Sequence, residues 1–144
     1  MLNEQERIEI VRYRTAHAAC TLSEVEFLMR NGFYNTAANR MYYACYYAAS
    51  ALLIANGIVT KSHDGVKQML GLHFIRTGVF PSYFGKYYGR LFDERHLGDY
   101  EDFFDHDETS ANDLYPKAKE IVSTISEKVN EWLDKQDGGQ EEKE

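Results

Sequence analysis

The sequence predicts an all-α fold, an antiparallel up-and-down bundle of about five helices. Apolar residues recur at alternating steps of three and four along most of the chain, the period of an amphipathic helix. Proline occurs only at Pro81 and Pro116, so little interrupts helical stretches. Glycine-containing stops fall between the periodic stretches, where a left-handed residue ends a helix at no steric cost. A chain of 144 residues is the usual size for one hydrophobic core. The bundle is assigned to residues 1–136, and the charged, glycine-containing residues 137–144 to a disordered acidic tail.

The elements follow in order. A first helix is expected from about Asn3 to Arg30, with Ile8, Val11, Thr15, Ala18, Leu22, Val25 and Met29 on one stripe; Asn31-Gly32 stops it. A second, from about Tyr34 to Ala55, carries Ala38, Met41, Cys45, Ala48 and Leu52 beside a second stripe of Tyr42, Tyr46, Ala49 and Leu53. A helix apolar on so much of its surface belongs at the centre of a bundle. Asn56-Gly57 ends it. A third starts near Ser62, an N-cap residue followed by Asp64 in the first turn. Val66, Met69, Leu70, His73 and Phe74 should face inward, up to Gly78. A fourth begins near Pro81 and turns Phe84, Tyr87, Tyr88, Leu91, Phe92 and Arg95 inward. After the acidic break Glu101–Glu108, a fifth starts near Thr109 or Ser110 on a stripe of Ala111, Leu114, Ala118, Ile121, Ile125 and Trp132.

Composition closes several function classes. A net charge of −7 does not suit a general DNA-coating protein. The charge is uneven: Gly32–Gly98 holds seven Lys/Arg against three Asp/Glu, and Asp99–Glu144 five against fifteen. A basic middle allows a local anion site inside an acidic protein; solvated helix faces are the alternative. No apolar run reaches the length of a membrane span, and the acidic N-terminus lacks the order of a secretory signal. A cytoplasmic location with no membrane partner is expected. Cys20 and Cys45 are read as buried free thiols. No metal site, phosphate loop or dinucleotide fingerprint occurs, so no cofactor is expected. His17 and His106 are expected at the surface, and His73 in the core.

The chemistry concentrates in Asn39–Ala49. On a helix Arg40 and Tyr47 share a face, roughly 10 Å apart along the axis, and Asn39, Tyr43 and Tyr47 succeed one another by single turns. The result is a polar-tipped ladder on an otherwise apolar helix. An arginine fork suits phosphate; tyrosine rings stack on bases while their hydroxyls bind oxygen. The alternative is a bundle core in which the tyrosines snorkel and Arg40 pairs with an acid on another helix. His63 in the first turn of the third helix, Lys61 before it and Arg40 are hypothesised to line one anion-binding cleft. In the alternative, Ser62 caps and His63 packs on the loop. Arg95 and Asp99 lie one turn apart and can pair directly as a structural bridge.

Three segments carry a resemblance: Asn39-Arg40-x-Tyr42-Tyr43-Ala44, Lys61-Ser62-His63-x-Gly65-Val66, and Leu91-Phe92-x-x-Arg95-x-x-x-Asp99-Tyr100. In this order and spacing the chain resembles the small stand-alone branch of the HEPN family (higher eukaryotes and prokaryotes nucleotide-binding). The resemblance implies an antiparallel helical bundle, commonly a homodimer built through the first two helices. It implies either a metal-independent endoribonuclease or a non-catalytic partner of a nucleotidyltransferase in toxin–antitoxin or defence modules. The family's nucleases have an arginine followed four to six residues later by a histidine. Arg40 fits the arginine, but Tyr47 stands where the histidine is expected. A tyrosine ordinarily ionises near pH 10 and is a poor general base near neutrality. Catalytic candidates are Arg40, Tyr47 and His63. Ligand-binding candidates are Asn39, Arg40, Tyr43, Tyr47, Lys61 and His63. Arg95, Asp99 and Tyr100 are the supporting set. Three readings remain: a nucleotide- or RNA-associated binding module, an endoribonuclease with a variant Arg-x6-Tyr motif, and a purely structural dimeric bundle.

Overall fold

Asn3 starts the first helix with a reciprocal capping box. Its side-chain oxygen accepts from the Glu6 N–H at 2.8 Å, and the Glu6 carboxylate accepts from the Asn3 backbone N–H. The computed structural model describes residues 2–95 and 105–143, with side chains described as far as 138. Within them run α1 (Glu4–Arg30), α2 (Tyr34–Ala55), α3 (His63–Leu70), a π-helical turn (Gly71–Ile75), α4 (Tyr83–Glu94) and α5 (Glu108–Lys143). No strand occurs among the described residues.

Gly32 and Gly57, at φ of 79° and 73°, end α1 and α2 in the left-handed region, as the Asn-Gly pairs predict. The link between α1 and α2 is only Asn31 to Phe33, which makes the two helices antiparallel neighbours. They pack more extensively on each other than any other pair; α5 lies against both, and α3 and α4 pack on α2. α2 is therefore the central helix. Both of its predicted stripes are buried save Tyr46, which is half-buried, and Ala44, Ala48 and Ala51 leave room for close neighbours. Arg90 ties α4 to α5 through Asp113, and Tyr115 of α5 donates to Glu26 of α1 at 2.9 Å.

Several expectations are corrected. His73 is exposed, not in the core. The π-turn, closed by Arg76 N–H to the Gly71 carbonyl at 2.9 Å, advances each residue by a smaller angle than an α-turn. The stripe from Val66 and Leu70 resumes at Phe74, and His73 rotates out to solvent. His106, expected at the surface, is only 4% exposed. Its ring bridges the Glu94 carbonyl at 3.0 Å and Ser110 Oγ at 3.1 Å, and its N–H donates to Asn35 Oδ1 at 2.7 Å. It thus joins the ends of three helices. His17 is half-buried, because an aromatic ring of α2 covers it. Cys20 is exposed; Cys45 is buried, and burial pushes its thiol up.

α5 begins with a reciprocal cap between Asp107 and Ser110, at 2.8 and 3.0 Å. It continues to Lys143, through the glycines of the stretch that composition assigns to a tail. Asp137 is held there by a 2.5 Å ion pair to Arg12 of α1. No described helix is long and apolar enough to cross a membrane.

Candidate functional site

Tyr42 is the centre of the site. It is fully buried, because its position on α2 faces the junction of α3 and α4. Its ring lies 6.0 Å from Tyr88 and 5.8 Å from Phe92, both on α4. Its hydroxyl meets His63 Nδ1 at 2.9 Å. Burial pushes the Tyr42 hydroxyl up to about 12, so it stays protonated near neutral pH.

His63 reaches this hydroxyl because Ser62 caps α3. Ser62 Oγ accepts from the Gly65 N–H at 2.8 Å and fixes the first turn. The His63 ring packs at 4.4 Å on Tyr46 and stands at 90° to Tyr43, 5.5 Å away. Desolvation, and then the nearby Arg95 guanidinium, lower its affinity for a proton below the usual histidine value. A neutral ring results near pH 7. Its Nε2 has no hydrogen-bond partner among the described residues.

Two guanidiniums flank this pair. Arg40 lies 5.0 Å from the centre of the Tyr43 ring, so Arg40 and His63 share Tyr43 as a neighbour. Arg95, at the end of α4, lies 5.1 Å from the Tyr42 ring and 4.3 Å from that of Phe92, and donates to the Phe92 carbonyl. Asn39 links the Arg40 guanidinium to the backbone at the end of α4. Its carbonyl accepts from Arg40 at 3.1 Å, and its amide donates to the Arg95 carbonyl at 3.4 Å. Both arginines are half-buried, and neither has a carboxylate within ion-pair distance among the described residues.

The structure thus brings Asn39, Arg40, Tyr43 and His63 together and adds Tyr42 and Arg95 to them. Tyr47 is one turn further along, 6.1 Å from Tyr43, and its ring stacks at 4.1 Å on His17 of α1. Lys61 is exposed beside the cap. Asp99 and Tyr100, with the expected Arg95–Asp99 pair, lie outside the described residues. Sequence reasoning missed Lys67, whose ammonium lies 4.7 Å from the Phe92 ring. Its i, i+4 spacing from His63 on one helix face was the available signal.

The depressed His63 value has a checkable consequence. An unfolded histidine takes up its proton near pH 6.5; the folded ring does so only at lower pH. Stability from this group is complete above pH 6.5 and declines as pH falls from there to the folded value. NMR titration of the His63 ring should give a midpoint below 6.5, and Arg95→Met should raise it. An unchanged midpoint in the variant would mean that Arg95 does not act on His63.

The fold and site define a small all-α protein in which Arg40 of the central helix and Arg95 at the end of α4 lie among aromatic rings, with no carboxylate at ion-pair distance among the described residues. Residues 11–129 match the model of the HEPN domain, and the chain belongs to the HEPN family. It is 32% identical over 130 residues to a "UPF0332 protein" of Thermotoga maritima, covering 90% of this chain and 97% of that one. It is 30% identical over 112 residues to "Putative toxin MJ0605" of Methanocaldococcus jannaschii, covering 78% of this chain and 83% of that one. Among solved structures, that of ST0689, an archaeal HEPN homologue, matches with a TM-score of 0.67 at 17% identity, over 83% of this chain and 97% of that one. That likeness is one of fold.

Proposed function

We propose that this chain is a toxin-like HEPN module that holds the phosphate of a nucleotide or RNA at the Arg40–Arg95–His63 face. In this reading it is not itself a catalyst, and it acts as a homodimer beside a nucleotidyltransferase-type partner in the cytoplasm. One observation carries the proposal: two half-buried guanidiniums, that of Arg40 held by Asn39 and the Tyr43 ring and that of Arg95 by the rings of Tyr42 and Phe92, have no carboxylate at ion-pair distance among the described residues. Half-buried cations without counter-ions are costly, and a phosphate between them would offset that cost. Tyr43 is half-buried beside Arg40, and a ring in that position could stack on a base. The relative named "Putative toxin MJ0605" is consistent with the module's class.

A second reading, a metal-independent endoribonuclease, is favoured by His63. A neutral imidazole with a free Nε2 beside two cations has the makings of a proton-transfer group. Tyr47, its ring packed on His17, offers no equivalent.

The test is binding and cleavage of a fluorescent single-stranded RNA by wild type and Arg40→Ala, in EDTA. Binding at low salt that weakens about tenfold or more in the variant is expected, since one charge-assisted hydrogen bond accounts for roughly that factor. Binding should also fall with salt. No binding at low salt would sink the proposal. Cleavage lost in both Arg40→Ala and His63→Ala would establish the second reading instead.

A further inference from the structure

A separate cavity lies at the other end of α2. Ile54, in its wall, is fourteen residues from Arg40 along the helix, about 20 Å of rise. The cavity holds about 600 Å³ and is bounded by the first half of α1, the end of α2 and the link from Gly57 to Thr60. That volume falls in the range of small-molecule sites, about 300–1,000 Å³. Its walls are mainly apolar: Ile10 and Ile54 on the helices, Ile58 in the link, and Val59 at the rim, 86% exposed.

Two cations face this apolar space. Arg7 and Arg14 are seven residues apart on α1 and share its face, with Ile10 between them. Both are half-buried, and neither has a carboxylate within ion-pair distance among the described residues. Glu6 also lines the cavity, but its carboxylate is engaged by Asn3 in the α1 cap. Arg14 is anchored: it donates to Ser50 Oγ at 2.6 Å, and Ser50 is buried on α2. That bond holds the guanidinium against the wall and leaves its other N–H groups for a further acceptor.

We infer that this cavity binds a small amphipathic anion, specifically a medium-chain carboxylic acid. Its aliphatic body lies on Ile10, Ile54 and Ile58, and its carboxylate is held by Arg14 and Arg7. The chemistry follows from the lining. Apolar walls reward burial of a hydrocarbon chain, and an arginine fork matches a carboxylate in geometry and charge. A neutral ligand would leave both cations uncompensated, and a cationic one would be repelled.

The test is calorimetric titration of the whole protein with octanoate, 1-octanol and octylammonium. Octanoate should bind saturably, octanol at least tenfold more weakly, and octylammonium not at all. Arg14→Met keeps most of the side chain's apolar volume and should weaken octanoate at least tenfold without changing octanol. Val59→Asp places a negative charge at an exposed rim, where folding is not at stake, and should weaken octanoate as well. RNA binding at the Arg40 face should be unchanged in both variants, so failure here is distinguishable from failure of the phosphate site. Equal binding of the three ligands, no saturable binding, or octanoate binding that survives both substitutions would overturn the inference. So would a wild-type dimer, seen by ultracentrifugation, that dissociates in Val59→Asp, because the cavity would then belong to a subunit contact.

Discussion

Tyr42→Ala should lower unfolding free energy by about 3–5 kcal/mol, the usual cost of emptying an aromatic site in a core. The reason lies in what surrounds the ring. Tyr43, Tyr46, Tyr88, Phe92 and His63 all contact it, from three different helices. A helix cannot shift to fill the void without breaking another of those contacts, so little relaxation is available. Urea denaturation gives the number directly. The companion Tyr42→Phe separates packing from polarity. It keeps the ring and removes only the hydroxyl that meets His63, and should cost about 1 kcal/mol or less. A Tyr42→Ala loss as small as that of Tyr42→Phe would show that the ring is not the keystone of this junction.

Gly65→Ala should destabilise by about 1–3 kcal/mol, the range for overpacking a tight position, although alanine favours helices. A Cβ built at Gly65 falls inside the contact shell of the Thr60 hydroxyl and 2.8 Å from Ser62 Oγ. Ser62 Oγ is the atom that caps α3. The added methyl therefore collides with the group that orients His63. RNA binding should weaken together with stability. Gly71→Ala is the matched control: nothing lies within 4 Å of its added carbon, and its backbone is right-handed. It should be neutral or slightly stabilising. If both substitutions had the same effect, the role assigned to the Lys61-Ser62-His63-x-Gly65 segment would be wrong.

The helices were legible in the sequence wherever one period ran unbroken. α1 and α2 could be read from their stripes and their Asn-Gly stops, and α3 from its Ser62 cap. The period misled at His73, because a single π-turn alters the phase and no composition signal marks that turn. It was silent at His106, which sits in an irregular segment with no period to read; only the approach of three helix ends buries it. Cys20 was misjudged because a small residue beside a stripe can fall on either side of it.

The candidate site divides in the same way. Asn39, Arg40, Tyr43 and Tyr47 lie on one helix, and spacing alone places them together. The meeting of His63 and Arg95 at Tyr42 is tertiary. It depends on how α3 and α4 dock on α2, which helical period does not encode. The hypothesised grouping of Arg40 with His63 rested on shared membership in the basic middle of the chain, a cue to charge with no geometry in it. The expected Arg95–Asp99 bridge lies outside the described residues; the packing of Arg95 on the rings of Tyr42 and Phe92 is tertiary and has no signature in helical spacing.

The three-residue link between α1 and α2 bears on the order in which the molecule assembles. The most extensive interface joins consecutive helices, so its contacts form by closing a short loop at small entropic cost. That hairpin is the natural folding nucleus, and Arg40 and Tyr43 are in place once it forms. His63 and Arg95 arrive afterwards, when α3 and α4 dock. Docking of α3 and α4 therefore completes the candidate site, and local opening of those two helices would dismantle it while leaving the α1–α2 hairpin intact.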